Sequence, residues 1–298
     1  MGSVPKECNA IPRGVRALHA NINAVISFPD IDPVAFRIGP LAVRWYGIAY
    51  LAAFGVAWGL MRYRARRRAL DWSDPQISDL IFYAALGAVL GGRLGHVVFY
   101  NLTMYLSDPI AIFKIWEGGM SFHGGLIGVL IAMAIYAKTL GKGFFDVIDF
   151  LAPAVPPGLC FGRIANFING ELWGRPADLP WAVIFPDPAA GGIPRHPSQL
   201  YEAFLEGVLL FCVLWIFSSK ARPRGAVSGV FILGYGLVRF MVEFAKVPEQ
   251  PLGYLAFGWL TMGQALTVPM LIIGMWWIRN AYRRPREPLA SAGTGRRS

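Results

Sequence analysis

The chain has 298 residues, of which 55% are hydrophobic and only 15% charged, and it carries a formal net charge of +10. Soluble domains average roughly 25% charged residues and need polar surface to cover their cores, so the composition excludes a soluble enzyme, a disordered chain and a protein with one simple anchor. Cys8, Cys160 and Cys212 are too few and too scattered for a disulfide framework or a zinc site.

Residues 1–27 lack an apolar core of signal-peptide length and read as an N-terminal extension. Seven apolar runs follow, at about 41–62, 78–100, 121–139, 147–167, 199–218, 226–245 and 259–279, each near the about 20 residues that cross a bilayer as a helix. They are too long and too continuous for strands, and backbone groups in lipid must pair within their own segment. The expected fold is therefore an all-α integral membrane protein, a bundle of seven transmembrane helices over residues 28–284 with a basic tail at 285–298.

The first run holds Tyr46 and the Gly55/Gly59 pair; the second repeats Gly87, Gly91 and Gly95 and carries Arg93 and His96. Small residues four apart let membrane helices pack closely, which says nothing about chemistry. The third run opens Ser121-Phe122-His123-Gly124-Gly125. The glycines leave room beside the ring, and histidine titrates near neutrality, although a lone histidine at a helix start is more often a structural residue. Pro153, Pro156, Pro157 and Gly158 interrupt the fourth run and predict a broken helix. That run leads into Gly162–Gly174, which crowds Arg163, Asn166, Asn169 and Glu171 into one short stretch. The connection 168–198, with Trp173 and Trp181, reads as a small extracytoplasmic cap. His196-Pro197-Ser198-Gln199 precedes Glu202 and Glu206 in the fifth run. In the sixth, Tyr235, Arg239 and Glu243 recur at i, i+4, i+8 on one helical face. An arginine at a helix centre costs about 2.5–3.5 kcal/mol on insertion scales, so such groups need partners and are functional candidates by default. Arg239 and Glu243 could also be a purely structural pair. The face of Tyr235, Arg239 and Glu243 ranks above Arg93/His96 and Glu202/Glu206 as a site, and a guanidinium suits phosphate.

Lysine and arginine number sixteen in one set of alternate connections, tail included, and eight in the other. The positive-inside rule then puts the N-terminus outside and the C-terminus in the cytoplasm. This placement of charge at the ends of apolar runs reads as topology, not as nucleic-acid binding. A hydrolase elbow, a metal-binding histidine pair and a phosphate loop are all missing from the sequence, which favours lipid-headgroup recognition.

From about Phe28 to about Arg284 the chain resembles the prolipoprotein diacylglyceryl transferases. The resemblance rests on Phe28-Pro29-Asp30-Ile31-Asp32-Pro33, Arg44-Trp45-Tyr46-Gly47, Gly91-Gly92-Arg93-Leu94-Gly95, the stretch Gly118–Leu126, Gly162–Gly174, Arg195–Glu202, Tyr235–Glu243 and Met262-Gly263-Gln264, in that order. His96 stands where the family pattern has tyrosine. The resemblance implies a seven-helix enzyme of the bacterial inner membrane, active toward the outer leaflet. It would transfer diacylglycerol from phosphatidylglycerol to the lipobox cysteine thiol of a prolipoprotein, leaving a thioether and glycerol phosphate. It also implies functional roles for Tyr46, His123, Arg163, Asn166, Glu171, Gly174, Arg239 and Glu243, with Tyr235 beside them, and no metal or cofactor. His123 would act on the thiol and the two arginines on the phosphate, with Glu243 and Glu171 orienting arginine. A transporter or channel for anionic lipid is the alternative. One interrupted span and no internal repeat weigh against it.

Overall fold

The computed structural model describes residues 26–114, 118–248 and 253–283; the N-terminal extension up to residue 25 and the basic tail from residue 284 lie outside the described residues. Among these residues seven long helical segments carry the chain: α1 (Trp45–Arg67), α2 (Asp74–Phe99), α3 (Phe122–Thr139), α4 (Phe144–Ile168), α5 (Ser198–Phe217), α6 (Ala226–Val242) and α7 (Met262–Arg283). The segments α2 to α5, and α6 together with the turn that extends it to Ala245, are long and apolar enough to cross a membrane. Their outer faces leave large apolar side chains such as Leu94, Phe99, Ile131 and Ile216 exposed. A soluble domain would bury such faces, whereas in lipid they are solvated.

The predicted run at 41–62 begins as a helix only at Trp45, because Leu41–Arg44 forms strand β3 and pairs antiparallel with β2 (Val34–Ile38). The start of α2 is fixed by Ser73, which accepts from the Gln76 amide while the Gln76 side chain accepts from Ser73 in return. In α4 the expected break is milder than the prolines suggest. Ala152–Ala154 tightens into a 3-10 turn, and Pro156 and Pro157 fall in the first turn of Val155–Ile168, where a missing N–H costs nothing. The helix runs on without an unwound gap.

Close packing follows the glycine spacing only in part. A Cβ on Gly87 would lie 2.6 Å from the Gly128 carbonyl oxygen, and one on Gly95 would lie 2.7 Å from the Gly124 Cα, so α2 and α3 are in backbone contact. Gly274 of α7 similarly abuts Leu233 of α6. Gly55 and Gly59 meet nothing within 4 Å and serve no such contact.

The apolar core around Met61, Ile77, Leu80, Met133 and Val147 joins α1 to α4 at the arginine-rich end of α1. The connections at the other end are built differently. Strand β1 (Ile26–Ser27) runs parallel to β4 (Val183–Ile184), which pairs antiparallel with β5 (Pro194–Arg195). Val183, Phe185 and Ala190 pack there against Phe28, Phe167 and Trp173. Strands β6 (Tyr254–Ala256) and β7 (Leu260–Thr261) form a hairpin that leads into α7.

Candidate active site

The polar residues of three apolar helices meet at this end of the bundle. Arg163, two turns past the prolines of α4, forms an ion pair through Nε with Glu202 Oε2 at 3.2 Å, and its Nη2 lies 3.6 Å from Glu206 Oε2. Arg239 of α6 pairs through Nη1 with Glu202 Oε1 and through Nη2 with Glu243 Oε2 at 3.3 Å. Lys246 Nζ donates to Glu202 Oε1 at 3.1 Å. Glu202 and Glu206 are fully buried, and Glu243 is nearly so. Three cations thus face three carboxylates. Taking such ions out of water costs several kcal/mol each, repaid only with good geometry, so this centre is a poor stability device.

The sequence ranked Glu202 and Glu206 below the α6 face, but Glu202 is the hub of the cluster. Lys246, just past the end of α6, belongs to it as well. The i, i+4 spacing of two glutamates in an apolar run was the available signal. It read weakly because like charges on adjacent turns repel, and their cationic partners lie on other helices. Glu206 lies within a π-helical stretch, Ala203–Leu209, inside α5. Such widened turns concentrate at functional sites. Neither Glu206 oxygen has a hydrogen-bond donor among the described residues.

Glu243 is held from below. Thr261 Oγ1 donates to its Oε1 at 3.0 Å, Gln264 Oε1 accepts from the Thr261 amide, and Gly263 lies directly against the carboxyl group. This explains Met262-Gly263-Gln264, since any side chain at 263 would displace Glu243. Tyr235, one turn before Arg239, lies within the field of Glu206, Arg239 and Arg163. Tyr46 pairs with Tyr50 in the first turns of α1, their rings 5.3 Å apart, and Tyr50 faces the Arg163 charge.

Asn166 and Glu171 depart from the expected arrangement. Asn166 Nδ2 donates to Glu171 Oε1 at 2.7 Å and Asn169 Nδ2 donates to the same oxygen at 3.4 Å, so Glu171 orients amides and not an arginine. Leu172 next to it has φ +60°, a left-handed backbone that a branched side chain rarely adopts. His123 is exposed at the start of α3, edge-on to Phe122 at 5.6 Å. Among the described residues no hydrogen bond or ion pair joins it to the cluster. Arg93 is accounted for structurally: its guanidinium donates to the carbonyl oxygens of Ala111, Ile112, Lys114, Gly118 and Gly119 and pins the connection that leads to His123.

The cap meets the cluster at Gly174. Its amide donates to the His196 carbonyl at 2.9 Å, and Arg175 N donates to Ala245 O, next to Lys246. A Cβ on Gly174 would lie 2.7 Å from His196 Cβ and collide with the Ala245 carbonyl. Gly174→Ala is therefore expected to push the cap off Lys246. A drop in melting temperature together with loss of activity checks this; a variant as stable and active as the wild type contradicts it.

Burial, and then the Arg175 charge, hold the His196 ring below the usual histidine range. Its folded pKa is lower than its unfolded value of about 6.5, so its stabilising contribution is present above that value and is lost as pH falls through the folded one. The expected result is weaker hydrogen-exchange protection of the Gly174 and Arg175 amides below pH 6, and a flat profile in His196→Gln.

Membrane-length apolar helices around a buried centre of arginine, lysine and carboxylate define an integral membrane protein with a charged centre toward one end of its bundle. The sequence profile of the prolipoprotein diacylglyceryl transferases matches residues 33–279, and the chain belongs to that family. Relatives named phosphatidylglycerol–prolipoprotein diacylglyceryl transferase include one from Methylococcus capsulatus, 59% identical over 261 residues, covering 87% of this chain and 99% of the relative. One from Solidesulfovibrio magneticus is 57% identical over 248 residues, covering 83% and 94% respectively. One from Coxiella burnetii is 56% identical over 262 residues, covering 87% and 98%.

Proposed function

We propose that this chain, a membrane transferase by family, moves the diacylglyceryl group of phosphatidylglycerol onto the lipobox cysteine of prolipoproteins. The observation that carries the reading is the convergence of Arg163 and Arg239, from two helices, on Glu202. Each keeps one nitrogen, Nη1 of Arg163 and Nε of Arg239, with no protein acceptor among the described residues. Two planar guanidiniums with free donors suit a phosphodiester.

The thiol sulfur attacks the glycerol carbon that bears the phosphate ester. The C–S bond forms as the C–O bond breaks, and the electron pair leaves on the oxygen of glycerol phosphate. Arg163 and Arg239 stabilise that developing charge, which is where preorganised donors contribute most. The thiol proton passes to His123, because a thiol with pKa near 8.5 needs a base at neutral pH. Tyr46 and Asn166 donate to headgroup oxygens, Glu171 orients Asn166, and Glu243 and Tyr235 flank Arg239. Gly174 allows the cap to close on the centre.

In this reading all seven helices cross the bacterial inner membrane, with the cap outside and the C-terminus in the cytoplasm. The sixteen-to-eight bias of lysine and arginine supports it. With Cys8, Cys160 and Cys212 replaced by serine, a single cysteine placed within 176–192 should react with an impermeant thiol reagent in spheroplasts. Labelling only after the membrane is opened contradicts this orientation. Release of glycerol phosphate that depends on a lipobox peptide tests the reaction, since a lipid transporter releases none.

A further inference from the structure

The arginine run at the end of α1, on the opposite side of the bundle from the charged centre, divides between two helix faces. Arg62 and Arg66, four residues apart, both pair with Asp74 at 3.0 and 2.9 Å. Arg64, Arg67 and Arg68, at i, i+3 and i+4, turn the other way and line a cavity of about 330 Å³ together with Tyr63, Trp215 and two serines of the next connection. The lining contains no carboxylate. Asp149, the acid whose charge acts on Arg64, has its carboxylate taken by the Gly225 amide and by the amide and hydroxyl of Ser228. Arg64 is 9% exposed, and its Nε is buried without a hydrogen-bond acceptor. Its Nη1 donates to the carbonyl oxygens of Asp149 and Phe150. Arg68 is anchored on the Ser218 carbonyl and Arg67 on the Tyr63 hydroxyl.

Three fixed guanidiniums around a cavity without a counter-ion form a site for an anion of matching charge and shape. The surroundings favour the phosphate of a lipid headgroup. Tyr63 and Trp215 stack with centroids 6.2 Å apart at the mouth, as aromatic side chains do at a bilayer interface. Val213 and Ile216, on the same helix as Trp215, are exposed apolar side chains that acyl chains can cover. Basic pockets between transmembrane helices bind headgroups in this manner. We propose that this cavity is a second phosphate-binding site, distinct from the transfer centre, and that it holds the headgroup phosphate of an anionic phospholipid from the leaflet opposite that centre.

Native mass spectrometry of the full-length protein with dioleoyl phosphatidic acid, and separately with inorganic phosphate, tests this. Wild type should retain one more phosphatidic acid than Arg67→Gln/Arg68→Gln, whose affinity for that molecule should fall by about tenfold or more. Any lipid held at the transfer centre is common to both proteins and cancels. Arg62→Gln/Arg66→Gln removes the same charge from the other face and should bind as wild type. Ser219→Trp, which fills the cavity and leaves every arginine in place, should lose the extra lipid as the arginine variant does, and it keeps the test decisive if that variant folds poorly. Binding of inorganic phosphate that disappears in the same two variants would assign the site to the free anion. Equal lipid retention in all four proteins, or equal loss in the Arg62/Arg66 control, would overturn the proposal.

Discussion

Arg239→Ala is expected to lower diacylglyceryl transfer by about 100- to 1,000-fold, the usual effect of deleting one preorganised donor to a developing anion. Arg239 sits between Glu202 and Glu243, so the substitution also leaves the buried Glu243 without a cation, while Glu202 keeps Arg163 and Lys246; breaking a buried pair in this way can cost about 3–5 kcal/mol of stability. Two further variants separate these effects. Arg239→Lys restores a positive charge without the planar fork and should fold while remaining poorly active. Arg239→Ala/Glu243→Gln removes one stranded charge and should recover stability without recovering turnover. If activity returns along with stability, Arg239 is a structural partner of the glutamates and not a phosphate ligand.

His123→Gln should reduce turnover by about 100- to 10,000-fold, the range of a lost general base. The affinity for phosphatidylglycerol should change little, because no ion pair or hydrogen bond among the described residues ties His123 to the arginine cluster. The substrate thiol ionises near pH 8.5, so raising the pH should restore part of the rate in the variant and less in the wild type. Loss of lipid binding, or a residual rate indifferent to pH, would make His123 a headgroup or structural residue.

The helices were legible because apolar runs of bilayer length have few other solutions, and Tyr235, Arg239 and Glu243 were legible because one helix fixes their common face. What lies between helices was harder to read. Glu202 faces Arg163, Arg239 and Lys246 only because α4, α5 and α6 are rotated so that their polar residues meet, and no single segment encodes that rotation. The same limit explains Glu171, which sits within reach of arginines in sequence but is held by Asn166 and Asn169 in space. Arg93 looked like a buried charge in search of a ligand, whereas the connection after α2 folds back and satisfies it with carbonyl groups. The prolines of α4 predicted a break, but their placement in first turns lets the helix continue.

The reaction proposed for this chain forms a thioether between a peptide cysteine and the glycerol backbone of phosphatidylglycerol. The direct measurement is mass spectrometry of a synthetic lipobox peptide incubated with the purified protein and phosphatidylglycerol of defined acyl chains. The peptide should gain the mass of one diacylglyceryl group on the cysteine, a gain absent when that cysteine is replaced by serine or when Arg239→Ala/Glu243→Gln replaces the wild-type protein. An unchanged peptide mass with active-folded protein and both substrates present would contradict it.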